Sequence, residues 1–384
     1  MTKSSVFALF VFCGLFLTAA CGQERQVPGA PQKIAEENPF PVPEGSVDQL
    51  FEFINQVKQT PPQEQTRAAI IAHLQRQVNA VNAALDKIAK TGPDNDTQIR
   101  MLSERLAGFS VLAQVDDKAA RLLEALLSKY DQDPRPAVKA MVGSYRLEQQ
   151  ARRFPILSAA QRKAYVDRLF KHIQKVGLDQ KSLGIATNLS ELLENSAQPE
   201  LGATINERLA AVLEQINRPE IQPQIDRLKA VARRLRLPGN PIRVTGSAVD
   251  GTDFNWKSYR GKYVLVDFWA SWCGPCRAEI PNMKAQLKRY RADDFAVVGI
   301  NLDQTVLDCQ KYVDREELPW VNLMSTDPAQ RGWDNPMTVY YGISGIPTAI
   351  LVDREGRVIS MNARGAELNR LLELLLGKPE ADDQ

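Results

Sequence analysis

The strongest constraint on the fold is a change in sequence pattern near residue 237, which divides the 384-residue chain into two unlike parts. Between residues 46 and 236, apolar residues recur three or four positions apart, which is the spacing of one face of an α-helix. The longest such stripe consists of Ile71, Leu74, Val78, Val81, Leu85 and Ile88. Breaks at proline and glycine divide this part into about eight helices of roughly 12–28 residues, with predicted N-caps at Ser46, Asp94 and Ser158. The pattern therefore predicts an all-helical domain over residues 46–236.

Residues 237–384 have a different pattern, in which short apolar runs alternate with helical stretches. The runs at residues 263–269, 295–302 and 347–353 have the length and composition of buried strands. The helical stretches cover residues 277–290, 305–317 and 366–376. All five tryptophans lie in this part. Because strands alternate with helices, we expect an α/β domain after the all-helical one.

The first 45 residues predict an export signal followed by a tether. Residues 1–20 carry Lys3 and then an apolar run that is too short to cross a hydrocarbon core of ~30 Å and is typical of a secretory signal peptide. The segment LTAAC at its end resembles a bacterial lipoprotein signal, which implies acylation of Cys21; ordinary cleavage before Cys21 is the alternative. Residues 21–45 contain five prolines, which predict an extended tether. We expect an exported protein of the bacterial cell envelope or periplasm, lipid-anchored to a membrane through Cys21.

Composition excludes several other classes of protein. The chain has 48 Lys and Arg against 46 Asp and Glu, so it lacks the basic excess of a nucleic-acid binder, and we expect no nucleic-acid partner. Its two histidines, His73 and His172, cannot by themselves build a His-rich metal site. Five cysteines are too few for a disulfide scaffold of this length.

The most informative residues are Trp272-Cys273-Gly274-Pro275-Cys276, which follow a predicted strand and precede a predicted helix. At a helix N-terminus, free amide groups and the helix dipole favour an anion, which lowers a thiol pKa from roughly 8.5 to about 3.5–7.5. The spacing also places the second sulfur within reach of the first, so that one can attack and the other can resolve. Gly274 relieves crowding at the turn, and Pro275 stiffens it.

Two other interpretations of the cysteine pair remain. A zinc site needs a second pair of ligands at suitable spacing, and the remaining cysteines and histidines do not supply an obvious one. A purely structural disulfide is the other, although so short a loop removes little chain entropy. Cys309, on a predicted helix, is expected to be a buried, small apolar residue rather than a third redox thiol.

Residues 237–384 resemble the thioredoxin superfamily, and specifically its TlpA/ResA-like exported thiol–disulfide oxidoreductases. The resemblance lies in the segment 265–281, LVDFWASWCGPCRAEIP, and in the segment 342–348, GISGIPT, which is similar to the family's substrate loop. It implies a thioredoxin-like α/β/α fold with a cis peptide bond between Ile346 and Pro347. It also implies that the redox group is the Cys273–Cys276 disulfide, with no further cofactor. The implied substrate contacts are Trp272, Gly274, Pro275, Ile346 and Pro347. The alternative for Trp272 is simple packing, and the alternative for Pro347 is an ordinary proline at the start of a strand.

Two carboxylates near the cysteines are predicted to be catalytic. Asp267 lies in the first predicted strand and resembles the buried aspartate of thioredoxin, a position where the TlpA/ResA group more often has Asn. Glu279, three residues after Cys276, resembles the acidic residue of that group. A buried carboxylate has a raised pKa and can exchange a proton with Cys276, and two close carboxylates titrate together. The alternative is a solvated Glu279 and an Asp267 that is only hydrogen-bonded.

These residues predict a thioredoxin-like protein-disulfide reductase. The resemblance implies exported thiol or disulfide proteins as substrates, apocytochrome c among them, and a membrane electron donor that restores the dithiol. One alternative is a peroxiredoxin-like peroxidase with antioxidant activity, although the Thr-x-x-Cys pocket motif of that branch is not visible. The other is a partner-binding protein in which the helical domain has the main role.

Overall fold

A computed structural model describes residues 39–194 and 196–378. The predicted signal peptide, Cys21 and residues 21–38 of the predicted tether lie outside these residues. The chain divides into two compact units between Gly92 and Pro93. The domain boundary predicted near residue 237 stays a prediction.

The first unit contains two helices, α1 (Val47–Gln59) and α2 (Arg67–Lys90), which pack against each other. Ser46 begins α1 with a capping box, in which its hydroxyl accepts from the Gln49 amide while the Gln49 side chain accepts from the Ser46 amide.

The second unit begins with seven more helices. They are α3 (Asn95–Leu112), α4 (Asp117–Tyr130), α5 (Pro136–Ala151), α6 (Ala159–Val176), α7 (Gln180–Glu194), α8 (Pro199–Glu214) and α9 (Gln222–Leu235). The all-helical character and the N-caps at Asp94 and Ser158 are confirmed. The described residues thus form nine helices before residue 237, not about eight. One break falls at residues 113–116, which contain neither Pro nor Gly; the Asp116 carboxylate caps α4 there by accepting from the Ala119 amide at 3.0 Å.

The rest of the second unit is an α/β domain around one six-stranded sheet. Its strands are β1 (Ser247–Ala248), β2 (Tyr263–Trp269), β3 (Phe295–Asn301), β4 (Val321–Met324), β5 (Thr348–Val352) and β6 (Val358–Ser360). They lie in the order β1-β4-β3-β2-β5-β6, in which β2–β3 and β3–β4 are parallel and the other neighbours are antiparallel. The helices are α10 (Gly274–Arg289), α11 (Val306–Glu316), α12 (Pro336–Tyr341) and α13 (Gly365–Leu376). The fold is the expected thioredoxin-like one.

The three predicted strands are β2, β3 and β5, which lie in the middle of the sheet. Their side chains are almost all buried, which explains the continuous apolar runs in the sequence. None of the helices in the described part of the chain is long and apolar enough to cross a membrane.

Candidate active site

The centre of the site is a disulfide bond between Cys273 and Cys276, whose Cα atoms are 5.3 Å apart. Cys273 is the N-cap of α10, and its sulfur accepts a hydrogen bond from the Cys276 amide at 3.2 Å. The structure therefore places the first cysteine at the helix N-terminus, as predicted. Cys273 is 5% exposed and Cys276 1%, so Cys273 is the more accessible to an incoming substrate.

The face of the site beside the cysteines is open. Trp272 is 57% exposed, Gly274 and Pro275 are exposed, and a Cβ atom added to Gly274 would meet nothing within 4 Å. The Ile346–Pro347 peptide bond is cis, as the resemblance implied, and both residues are half-buried at the start of β5. A role of these five residues in substrate binding stays a prediction.

The loop between β2 and α10 is fixed by Asp303, a residue that the sequence did not single out. Its carboxylate, 1% exposed, accepts from the Ser271 amide at 3.1 and 3.2 Å and from the Ser271 hydroxyl at 2.9 Å. The Asn301 side-chain amide donates to the same carboxylate at 2.9 Å. Since Ser271 lies two positions before Cys273, these bonds hold the loop from which the cysteine projects.

Asp267 lies within the central strand β2, opposite Gly299 of β3 and Ala349 of β5. Its pKa is raised from 3.8 to about 7, chiefly by burial and also by the negative charge of Glu279, while the positive charge of Arg364 opposes both effects. The carboxyl group is therefore about half protonated near neutral pH, where it can take or give a proton. The expected burial of Asp267 is observed, whereas its coupled titration with Glu279 and its catalytic role stay predictions.

Glu279 is held by the first turn of α13 and is not simply solvated. It is half-buried on α10, and its carboxylate accepts from the Gly365 amide at 2.8 Å. The neighbouring residue, Arg364, donates from Nη1 to the Pro347 carbonyl at 3.1 Å. Arg364 thus contacts the loop that carries Pro347 while its charge acts on Asp267. No local motif marks this arginine in the sequence, because only the fold brings it to the site.

The described residues contain one further cysteine, Cys309, which is free. Cys309 is fully buried in α11, and burial raises the pKa of its thiol to about 12, so this thiol is not readily ionised. Among residues 39–194 and 196–378, no group of three or more His, Cys, Asp or Glu side chains is arranged to hold a metal ion.

Residues 238–361 match the AhpC/TSA family. The chain is 26% identical over 130 residues to the thiol-disulfide oxidoreductase ResA of Bacillus thuringiensis subsp. konkukian, a match that covers 34% of this chain and 70% of the relative. It is 34% identical over 123 residues to the thiol:disulfide interchange protein HelX of Rhodobacter capsulatus, covering 32% of this chain and 63% of HelX, which is less than two thirds. A solved thioredoxin domain of a thiol-disulfide oxidoreductase from Bacteroides vulgatus is 27% identical, with 36% of this chain and 97% of that chain covered and a TM-score of 0.33.

Proposed function

We propose that the protein is a protein-disulfide reductase whose redox group is the Cys273–Cys276 pair. The observation that carries the proposal is the position of this disulfide at the N-terminus of α10, beneath an open face and close in sequence to a buried carboxyl with a pKa of about 7. Homology to thiol–disulfide oxidoreductases supports the class of reaction.

The reaction begins with the reduced pair. The Cys273 thiolate attacks one sulfur of a substrate disulfide, forms a mixed disulfide and releases the other substrate sulfur as a thiolate, which takes a proton from solvent. Cys276 then loses its proton, and we assign the role of acceptor to the Asp267 carboxylate. The Cys276 thiolate attacks Cys273 Sγ, which breaks the mixed disulfide, releases the second substrate thiolate and restores the Cys273–Cys276 bond. The released thiolate takes up the proton that Asp267 accepted from Cys276, which returns Asp267 to its ionised form. The substrate gains two electrons and two protons, and the enzyme becomes oxidised.

The local environment favours this sequence of steps. The free amides at the start of α10 stabilise a negative charge on Cys273, and one of them, the Cys276 amide, already contacts its sulfur. The greater burial of Cys276 suits a residue that attacks only within the mixed disulfide. Glu279, through its charge on Asp267, tunes when the acceptor is ionised.

The proposal extends to location and partners. After each turnover the dithiol must be restored, so an electron donor is required, and for an exported, Cys21-anchored protein this donor lies in the membrane. The substrates are exported proteins that carry disulfides, and apocytochrome c is one that the resemblance implies.

Insulin reduction by the purified full-length protein tests the reaction. We expect Cys273→Ser to abolish activity, and Cys276→Ser to accumulate a mixed disulfide that dithiothreitol releases. A reduction potential near about −270 mV fits a reductant, whereas one near about −120 mV fits an oxidant and would reverse the proposed direction. Rapid consumption of hydrogen peroxide without insulin reduction would instead support a peroxidase.

A further inference from the structure

Helix α9, the last helix before the α/β domain, lies directly against the start of the loop that carries Pro347. This loop, residues 342–347, begins at Gly342, whose backbone has a φ of +59°. A Cβ atom at Gly342 would lie 3.0 Å from the Val231 amide nitrogen and 3.1 Å from Val231 Cγ2. The backbone of α9 therefore approaches the loop so closely that only glycine fits without a shift.

Two consecutive arginines of α9 bind the end of α12, the short helix from which the loop departs. The hydrogen bonds that close α12 use the carbonyls of Thr338 and Val339. The next two carbonyls are bound by α9, since Arg233 Nη1 donates to the Tyr340 carbonyl and Arg234 Nε donates to the Tyr341 carbonyl at 3.1 Å. These bonds satisfy carbonyl groups that a helix end otherwise exposes.

Arg233 and Arg234 make further contacts that hold the end of α12 in place. The Arg233 guanidinium lies over the Tyr340 ring, 4.0 Å from its centroid. Arg234 also forms an ion pair with Glu194 at the end of α7, and its side chain is only 11% exposed. The end of α12 is thereby tied to two helices of the helical region, α7 and α9.

We infer that Arg233 and Arg234 are positioning residues through which the helical region fixes the 342–347 loop for protein substrates. The inference rests on the proposed function, and it gives the helical region a part in the affinity for protein substrates. If the loop were mobile, an extended substrate that pairs with it would have to order it on binding, and the entropy lost in this ordering would reduce the affinity. A loop that is already held in place avoids this loss. The hydrogen bonds, ion pair and ring contact described for these arginines go to α12 and α7 and not to the disulfide, so we expect that the chemical step itself does not need them.

The test compares the full-length protein with Arg233→Ala/Arg234→Ala, using insulin and the small substrate hydroxyethyl disulfide. We expect the KM for insulin to rise roughly tenfold, as the loss of one to two net hydrogen bonds would produce, with kcat unchanged. Turnover of hydroxyethyl disulfide, which has no peptide backbone to pair with the loop, should stay the same. Arg233→Lys/Arg234→Lys, which keeps a donor at each position, should give a KM for insulin between those of the wild type and of Arg233→Ala/Arg234→Ala.

Arg236→Ala is the matched control, because this arginine is the C-cap residue of the same helix but binds Glu207 at 2.6 Å. The single variant Arg233→Ala, which keeps the Arg234–Glu194 pair, replaces the double variant if the latter does not fold. An unchanged KM for insulin, or an equal loss on both substrates, would overturn the inference alone. A wild-type protein that reduces neither substrate would refute the proposed function, and the inference with it.

Discussion

Replacing Asp267 with Asn should stabilise the folded protein at neutral and alkaline pH. In the folded state the pKa of Asp267 is raised from 3.8 to about 7, chiefly by burial. The folded protein therefore binds more protons than the unfolded chain between these two pH values, and the free energy of unfolding falls as the pH rises through this window. Asn has nearly the same shape and carries no charge, so the variant lacks this loss.

The size of the effect follows from the two pKa values. Between the unfolded-state pKa of 3.8 and the folded-state pKa of about 7, each pH unit lowers the free energy of unfolding of the wild type by about 1.4 kcal/mol. The whole interval therefore lowers it by about 4 kcal/mol. We therefore expect wild type and Asp267→Asn to differ little near pH 4. The free energy of unfolding of the variant should exceed that of the wild type by a margin that grows up to about pH 7 and reaches about 4 kcal/mol at pH 8.

Urea unfolding of the oxidised proteins at several pH values between 4 and 8 measures the difference. All five tryptophans lie in the α/β part, so their fluorescence follows the unfolding of the domain that contains Asp267. Asp303→Asn makes the same substitution at another buried carboxylate, which accepts from Ser271 and Asn301, and it measures what the loss of a carboxylate's hydrogen bonds alone does to stability. A stability difference between wild type and Asp267→Asn that is independent of pH, or a less stable variant at pH 8, would refute the assigned burial cost.

Three further substitutions test the surroundings of the disulfide. Arg364→Gln removes a positive charge that lowers the pKa of Asp267. The pH range over which Asp267 lowers the free energy of unfolding should therefore extend to higher pH, and an unchanged range in urea titrations would show that the charge does not act on Asp267. Glu279→Gln removes a negative charge that raises the folded-state pKa of Asp267, so the upper end of the same range should move to lower pH in the same urea titrations. Asp303→Asn should destabilise the protein by about 1–3 kcal/mol and increase the rate at which trypsin cleaves the oxidised protein, since it disturbs several buried hydrogen bonds; equal stability to wild type would contradict this role.

The catalytic residues predicted from the sequence lie close together along the chain, whereas Ile346 and Pro347, which lie further along, were predicted only from the resemblance of segment 342–348 to a known loop. Asp267, Cys273, Cys276 and Glu279 fall within one strand–turn–helix segment, whose apolar run and motif are visible without a structure. Asp303 and Arg364 belong to the same site but follow other strands, so only the order of strands in the sheet brings them near.

The fold shows the same limit. Strands β1, β4 and β6 have two to four residues, too few to establish a period, and none was predicted. The break at residues 113–116 depends on a capping aspartate, a weaker signal than proline or glycine.

Arginine side chains hold the 342–347 loop at both of its ends, and loss of these contacts should affect the reaction differently at each end. Arg233 and Arg234 bind the helix that precedes the loop, whereas Arg364 binds the Pro347 carbonyl at its far end. Loosening either end should raise the KM for a protein substrate. Only Arg364 also acts on the charge of Asp267, so only its loss should change the pH at which the mixed disulfide resolves. A pH profile that moves with Arg364→Gln but not with the α9 variants would therefore separate loop ordering from proton transfer within one site.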